Sequence, residues 1–158
     1  MKIYTVQPKD FLCFVDKEGY IMPQKCELDK DTLEWLSDTK DVYQWMAEQY
    51  SVRTGFPNDR YLIWVYSTMR DVRWQTVDFT KFSVFCFEIP IEKMQSNFLW
   101  SDLIEWHWHL NHFDGWETKT DIFDFNLKKY SKNIVPQGVT IRLKKEWIKK
   151  VYNKSLDK

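Results

Sequence analysis

Trp100-Ser-Asp-Leu-Ile-Glu-Trp-His-Trp-His-Leu-Asn111 gathers three of the nine tryptophans and two of the three histidines into twelve positions. Continued to Asp114 it reads His107-x-His109-x-x-His112-x-Asp114, a set of side chains able to ligate a metal ion. The spacing argues otherwise. On a helix His107 and His109 point about 200° apart and cannot share one ion, so surface or network histidines are expected and no metal. Leu103, Trp106, His107, Leu110 and Asn111 share one helical arc, with Glu105, His109 and His112 on the other. His107 and Asn111 therefore sit on the core-facing side, where an unpartnered polar group costs about 1–3 kcal/mol. Asp71, Asp124 and Arg73 are candidate partners, and the helix either carries a satisfied polar network or lines a site.

Ser101-Asp102 reads as the start of that helix. Asp102 is a favourable partner for the helix dipole, with binding a ribose or an arginine as its functional alternative. Arg70 and Arg73 follow an aromatic strand, and their guanidinium forks match phosphate or carboxylate; rim salt bridges are the ordinary alternative. Trp64, Tyr66 and Trp106 offer flat walls for a planar ligand, or simply core. No Gly-rich phosphate loop, nucleophile elbow or Cys–His pair of known spacing occurs, and four glycines exclude the ordinary nucleotide-fold motifs.

The elements that must position these residues follow from the apolar pattern. Lys2–Gln7 alternates as a first strand, and Pro8 opens a short helix bearing Phe11, Leu12, Phe14 and Val15. Gly19 then suits a left-handed cap before Tyr20-Ile21-Met22. A helical turn fits Thr32–Leu36. Asp38 or Thr39 caps the principal helix, whose stripe of Val42, Tyr43, Trp45, Met46, Gln49 and Tyr50 ends before Gly55. Tyr61–Ser67 and Ser83–Ile89 read as buried strands, the second stopped by Pro90, with a helical turn at Glu92–Gln95. Asn111–Gly115 is a turn, and Thr120–Phe125 fits an edge strand or one helical turn equally. Val135–Leu143 should be the last strand, its faces alternating from Val139, and Lys144–Val151 a closing helix. The sum is a single α+β domain over 1–158, with four to six strands in a mixed or antiparallel sheet.

At 158 residues one domain suffices, and 18% aromatic content predicts a core built on rings. Equal counts of 23 basic and 23 acidic residues leave no global field toward nucleic acid or membrane. The basic stretch 142–150 reads as the solvated closing helix. Cys13, Cys26 and Cys86 form no disulfide or zinc pattern, so reduced thiols in the cytoplasm are expected, with Cys13 and Cys86 as core fillers. No signal-like start and no span-length apolar run is present, so no membrane association is expected.

Taken together, several segments resemble a family of uncharacterised bacterial proteins, the domain of unknown function 3841 family. They are Lys2-Ile-Tyr-Thr-Val-Gln7 with Gly19, Tyr43-Gln-Trp-Met-Ala-Glu-Gln-Tyr50 with Arg53, and Ile63-Trp64 with Asp71-Val-Arg73. Ser101-Asp102, Trp106-His107, Leu110-Asn111, Ile122-Phe-Asp124 and Gln137-Gly-Val-Thr140 complete the set. The order strand–helix–glycine at the N-terminus, with a late strand and closing segment, also resembles the ADP-ribosyltransferase fold, especially the DarT-type enzymes that modify nucleic acid. That resemblance implies a first-strand polar residue and nearby aromatics holding NAD, and a late-strand glutamate binding its ribose. Thr5 falls at the first position, where those enzymes usually carry histidine or arginine. The late glutamate falls near Gln137–Val139, where this chain has no carboxylate. Cleaving the nicotinamide–ribose bond builds an oxocarbenium-like cation that wants a nearby negative charge. Gln137 can hydrogen-bond a ribose hydroxyl but cannot offset that charge, so Asp102, Asp71 or Glu88 must serve if the chain turns NAD over.

The expected function is an ADP-ribosyltransferase-like protein that binds NAD in an aromatic cleft. Tyr4, Thr5, Trp64, Tyr66, Arg70, Arg73 and Asn111 would hold the dinucleotide, and Asp102, His107 and Gln137 would serve catalysis. ADP-ribose would pass to a macromolecule such as nucleic acid, in a toxin or phage-defence setting with an antitoxin-like or regulatory protein as partner. The competing class is a non-catalytic module that recognises a partner protein, and a metal-dependent hydrolase ranks third.

Overall fold

The computed structural model describes residues 1–21, 34, 40–57, 61–72, 76–111, 121–123, 127 and 129–154, with 109–111 and 121 described by backbone alone. Among these, eight strands and three α-helices alternate with 3-10 turns. The strands are β1 (Lys2–Pro8), β2 (Tyr20–Ile21), β3 (Ile63–Tyr66), β4 (Phe82–Glu88), β5 (Leu99–Asp102), β6 (Pro136–Thr140), β7 (Leu143–Lys144) and β8 (Ile148–Tyr152). The helices are α1 (Lys40–Thr54), α2 (Ile91–Ser96) and α3 (Leu103–Asn111). The six-stranded main sheet has the order β5-β6-β3-β1-β4-β8 with antiparallel pairings, and β2 pairs with β7 beside it. The class is therefore α+β, as the pattern predicts.

Alternation along the strands separates two cores. Ile3, Ile63, Val65, Phe85, Phe87 and Trp100 face one way and pack with Phe11, Ile21, Met94 and Leu143. Leu99, Val139 and the half-buried Trp64 face the other way, toward Val42, Met46 and Tyr50 of α1, Trp106 of α3, and Ile122 and Phe123. α1 keeps the expected stripe, with Val42, Met46 and Tyr50 fully inside. The Tyr50 hydroxyl donates to the Asn97 carbonyl at 3.0 Å and ties this helix to the segment entering β5.

Several expectations need correction. The helix expected after Pro8 is only a 3-10 turn, Phe11–Cys13, and Cys13 is exposed rather than core, whereas Cys86 is buried. Gly19 has φ +82° and closes a turn at Asp16–Tyr20 rather than capping a helix. Trp100–Asp102 belongs to a strand, so α3 starts at Leu103. Asp121–Phe123 is a 3-10 turn, which decides between the two alternatives for that segment. Within the expected turn at Thr32–Leu36 only Glu34 is described, as helical; the turn at 111–115 is described only at Asn111, and Cys26 lies outside the described residues.

The largest correction concerns the end of the chain. Val135–Leu143 splits into β6 and β7, all five residues of β6 are buried, and the expected closing helix is replaced by the 3-10 turn Lys145–Trp147 and β8. Its pattern misleads for a definite reason. The register of β8 on β4 shifts between Cys86 and Phe87, so Ile148 pairs with Phe87, Val151 pairs with Phe85, and Lys149 bulges. Ile148 and Val151, three residues apart, thereby face the same core, a spacing that alone reads as one side of a helix. Lys149 pairs with Glu88 at 3.2 Å, and the exposed lysines Lys149 and Lys150 protect this sheet edge from further pairing.

Gly138 sits where β6 meets the densest part of the core. A Cβ there would lie 3.0 Å from Val65 Cγ2 and 3.2 Å from the Trp100 ring. The ring is held over it by its own indole N–H, which donates to the Met94 carbonyl at 3.1 Å. Gly138→Ala is expected to lower unfolding free energy by about 1–3 kcal/mol through overpacking. A chemical-denaturation midpoint equal to that of the parent would show that Trp100 is free to shift.

Candidate functional site

A cavity of about 460 Å³ opens on the face of the sheet covered by α3. Its floor is Val6 of β1, Tyr66 of β3 and Phe82 of β4; Leu103 and His107 of α3 form one wall, and Asp71, Thr76, Val77, Asp78 and Lys81 the other. The topology explains the floor. β1 is paired with β4 along all seven residues, but with β3 only at Tyr4↔Tyr66 among the described residues. Val6 alternates to the same face as Tyr4 and Tyr66, so Val6 and Tyr66 floor the cavity from neighbouring strands.

Two wall carboxylates are held in different ways. Asp71 ends the 3-10 turn Met69–Asp71, where the Thr68 hydroxyl donates to its Oδ2 at 2.5 Å and its own N–H donates to the Thr68 carbonyl. Asp78 organises the turn into β4. Its Oδ1 accepts the Thr80 hydroxyl at 2.6 Å and the Thr80 N–H at 2.9 Å, and these bonds hold its carboxyl below the usual range. Lys81 completes that wall, so the cavity carries both charge signs beside an imidazole and a phenol.

The expected aromatic wall is largely core. Trp64 and Trp106 pack with ring centroids 5.0 Å apart, and Tyr43 meets both edge-on at 5.7 and 5.8 Å. Burial first, and the nearness of Tyr66 second, push the Tyr43 phenol up to about 12. Of the aromatic residues expected to stack, Tyr66 alone lines the cavity.

The remaining candidate residues divide by face. Tyr4, Tyr66, Gln137 and Ser101 form one row across the sheet by register, on the cavity side. Gln137 is buried and its amide donates to Ser101 Oγ at 3.4 Å. The Tyr4 phenol is raised by burial and by the adjoining Cys86 thiol. Thr5 points to the opposite core, fully buried, where its hydroxyl donates to the Trp64 carbonyl at 2.6 Å and accepts the Gln7 amide at 2.9 Å. Asp102 stands at the junction of β5 and α3, and its Oδ1 accepts the N–H groups of Ile104 at 3.0 Å and Val135 at 3.3 Å. Arg70 is exposed and is not among the lining residues.

His107 and Asp71, paired on paper as candidate partners, line the same cavity. The Asn111 side chain, Arg73 and Asp124 lie outside the described residues, as do the His109 side chain, His112 and Asp114. Among the described residues no group of three or more His, Cys, Asp or Glu side chains is placed to hold a metal ion. Sequence reasoning missed Thr76, Val77, Asp78 and Lys81. The available signal was Asp78-Phe-Thr80, an Asx-turn pattern before a strand, which marks a turn but not what the turn encloses.

Two predictions follow from these roles. Asp102→Ala should cost about 1 kcal/mol through loss of the α3 cap while leaving ligand affinity at the cavity unchanged, as a denaturation midpoint and a titration would show together. Tyr43 keeps its proton longer folded than unfolded, so its neutral form adds stability that is present below pH 10 and lost as pH rises to about 12. Tyr43→Phe should flatten this alkaline loss, worth at most about 3 kcal/mol; a stability profile as steep as the parent's over that window would assign it elsewhere.

No family model, no curated protein and no solved structure matches the chain.

Proposed function

We propose that the protein binds NAD in the cavity between α3 and the face of β1, β3 and β4 and transfers ADP-ribose to a macromolecular acceptor, such as nucleic acid. The observation that carries this reading is the meeting of Tyr66, His107, Asp71 and Lys81 on one cavity. Its volume of about 460 Å³ falls within the range of about 300–1,000 Å³ typical of small-molecule sites. It would take one nucleoside half of the dinucleotide, with the Tyr66 ring against the planar group and Lys81 near a phosphate. His107 would take the proton of the attacking acceptor, a role imidazole fills near neutral pH. The resemblance to ADP-ribosyltransferases lends the reading its substrate class, but Thr5, the first-strand position it implies, faces away from this cavity. Among the described residues no helix is long and apolar enough to cross a membrane, and the reading places the protein in the cytoplasm, where NAD is at hand.

A second reading has its own observation. α3 exposes Ile104 at 57% and Trp108 at 41%, one helical turn apart, on the side away from the core. That pair suits recognition of a partner protein by a non-catalytic module, and Gln137 in place of a late-strand carboxylate is consistent with it.

Thermal unfolding of the full chain with increasing NAD separates the two. The NAD reading expects a melting temperature several degrees higher at 100 times the dissociation constant, where binding adds about 2.7 kcal/mol. It also expects His107→Ala and Tyr66→Ala to weaken binding at least about tenfold, near 1.4 kcal/mol each. No shift at saturating NAD, together with partner capture that Trp108→Asp abolishes, would establish the second reading instead.

A further inference from the structure

Any chemistry at the cavity that breaks a nicotinamide–ribose bond needs a negative charge beside the ribose, and few of the described carboxylates are candidates for the work. Gln137, at the late-strand position, is neutral and hydrogen-bonded within the sheet to Ser101. Asp102 alternates to the opposite side of β5 from Ser101, and its Oδ1 is occupied by two backbone N–H groups. Glu88 pairs across β1 with Lys2, at the other end of that strand from Val6, and it holds Lys149 at 3.2 Å. Asp78 reaches the cavity wall but is exposed, where water screens its charge, and its Oδ1 closes the turn at Thr80, whereas Asp71 is half-buried. Asp71 lines the same cavity as Tyr66 and His107, and Thr68 grips one of its two carboxylate oxygens, which fixes the orientation of the group.

We infer that Asp71 is the catalytic carboxylate of this site, supplying from the turn after β3 the charge that Gln137 on β6 does not. The inference rests on the NAD reading above and names the residue that makes such a site competent. In the step, the bond between ribose C1′ and the pyridinium nitrogen breaks, and its electron pair leaves with the nitrogen as neutral nicotinamide. The ribosyl oxocarbenium ion that remains lies against the Asp71 carboxylate. An O–H or N–H of the acceptor then bonds to C1′ and loses its proton to the His107 imidazole. With water as acceptor the product is free ADP-ribose, so nicotinamide release can be followed with NAD alone.

A carboxylate acting through its charge differs from one that only holds a turn. Asp71→Asn keeps an oxygen to accept from Thr68 but removes the charge, whereas Thr68→Ala removes the hydrogen bond and keeps the charge. The full chain and both variants are compared by the NAD-induced melting shift and by nicotinamide release. Asp71→Asn is expected to keep the melting shift and lose about 10²- to 10³-fold in release, with Thr68→Ala staying within about tenfold of the parent. Binding in all three proteins, with Asp71→Asn as fast as the parent or with no release by the parent itself, overturns the assignment of Asp71 while leaving NAD binding in place. Absence of any NAD shift in the parent overturns both the binding reading and this inference.

Discussion

The two middle strands of the main sheet, β1 and β3, share one paired position, Tyr4↔Tyr66, and the joining of the two halves of the sheet depends on that narrow seam. On either side the pairing is extensive: β1 lies along the whole of β4, and β3 and β5 each pair with β6 at four positions. Each half-sheet is thus tied internally by its own ladder. Between them, the Thr5 hydroxyl bridges to the Trp64 carbonyl and satisfies an acceptor beside the one paired position. On the face that carries Tyr4 and Tyr66, the residues Val6, Tyr66 and Phe82 floor the cavity.

The seam also shapes the packing. Because the strands are buried on both faces around it, the sheet needs a core on each side, and ring-rich side chains fill both. Large rings allow little slack. Gly138 has no side chain because the Trp100 indole occupies that space, and Trp64, Trp106 and Tyr43 close on one another in place of leaving an open stacking slot. Several polar groups in this setting have partners: Tyr50 bonds to Asn97, Trp100 to Met94 and Gln137 to Ser101. The cavity is where this closure stops, and its wall comes from the turns and α3 rather than from the ladders.

This division of labour gives the functional reading its form. Residues inside the ladders, such as Thr5 and Gln137, have work to do in holding strands together. Residues on the surrounding turns and on α3, such as Asp71, Lys81 and His107, converge from separate parts of the chain on one space. Binding and reactive groups are commonly carried in this way, on connecting segments positioned by a rigid scaffold. A reaction at this site would therefore draw its charge from a turn, and the late strand would contribute shape.

The sequence by itself determined what depends on neighbours in the chain. The alternation of Lys2–Gln7, the stripe of α1, the buried strand in Ser83–Ile89, and the α+β class were all legible, because side-chain period and local propensity act over a few residues; Tyr61–Ser67 gave its strand only at Ile63–Tyr66, with Tyr61 exposed. His107 could be placed on the inner arc of its helix, and Asp71 named among its potential partners, by the same reasoning. Tertiary structure decided what depends on pairing across long separations. A bulge opposite Cys86 turned a helical spacing into β8, and pairing with β6 drew Leu99–Asp102 into a strand ahead of α3. Alternation put Thr5 on the far side of the sheet from Tyr66, and the pairing of β1 with β4, continued by the Lys9 N–H to the Lys81 carbonyl, brought Asp78 and Lys81 to the cavity. None of these outcomes has a local signature, since register and the space left between strands belong to pairs of segments rather than to either one alone.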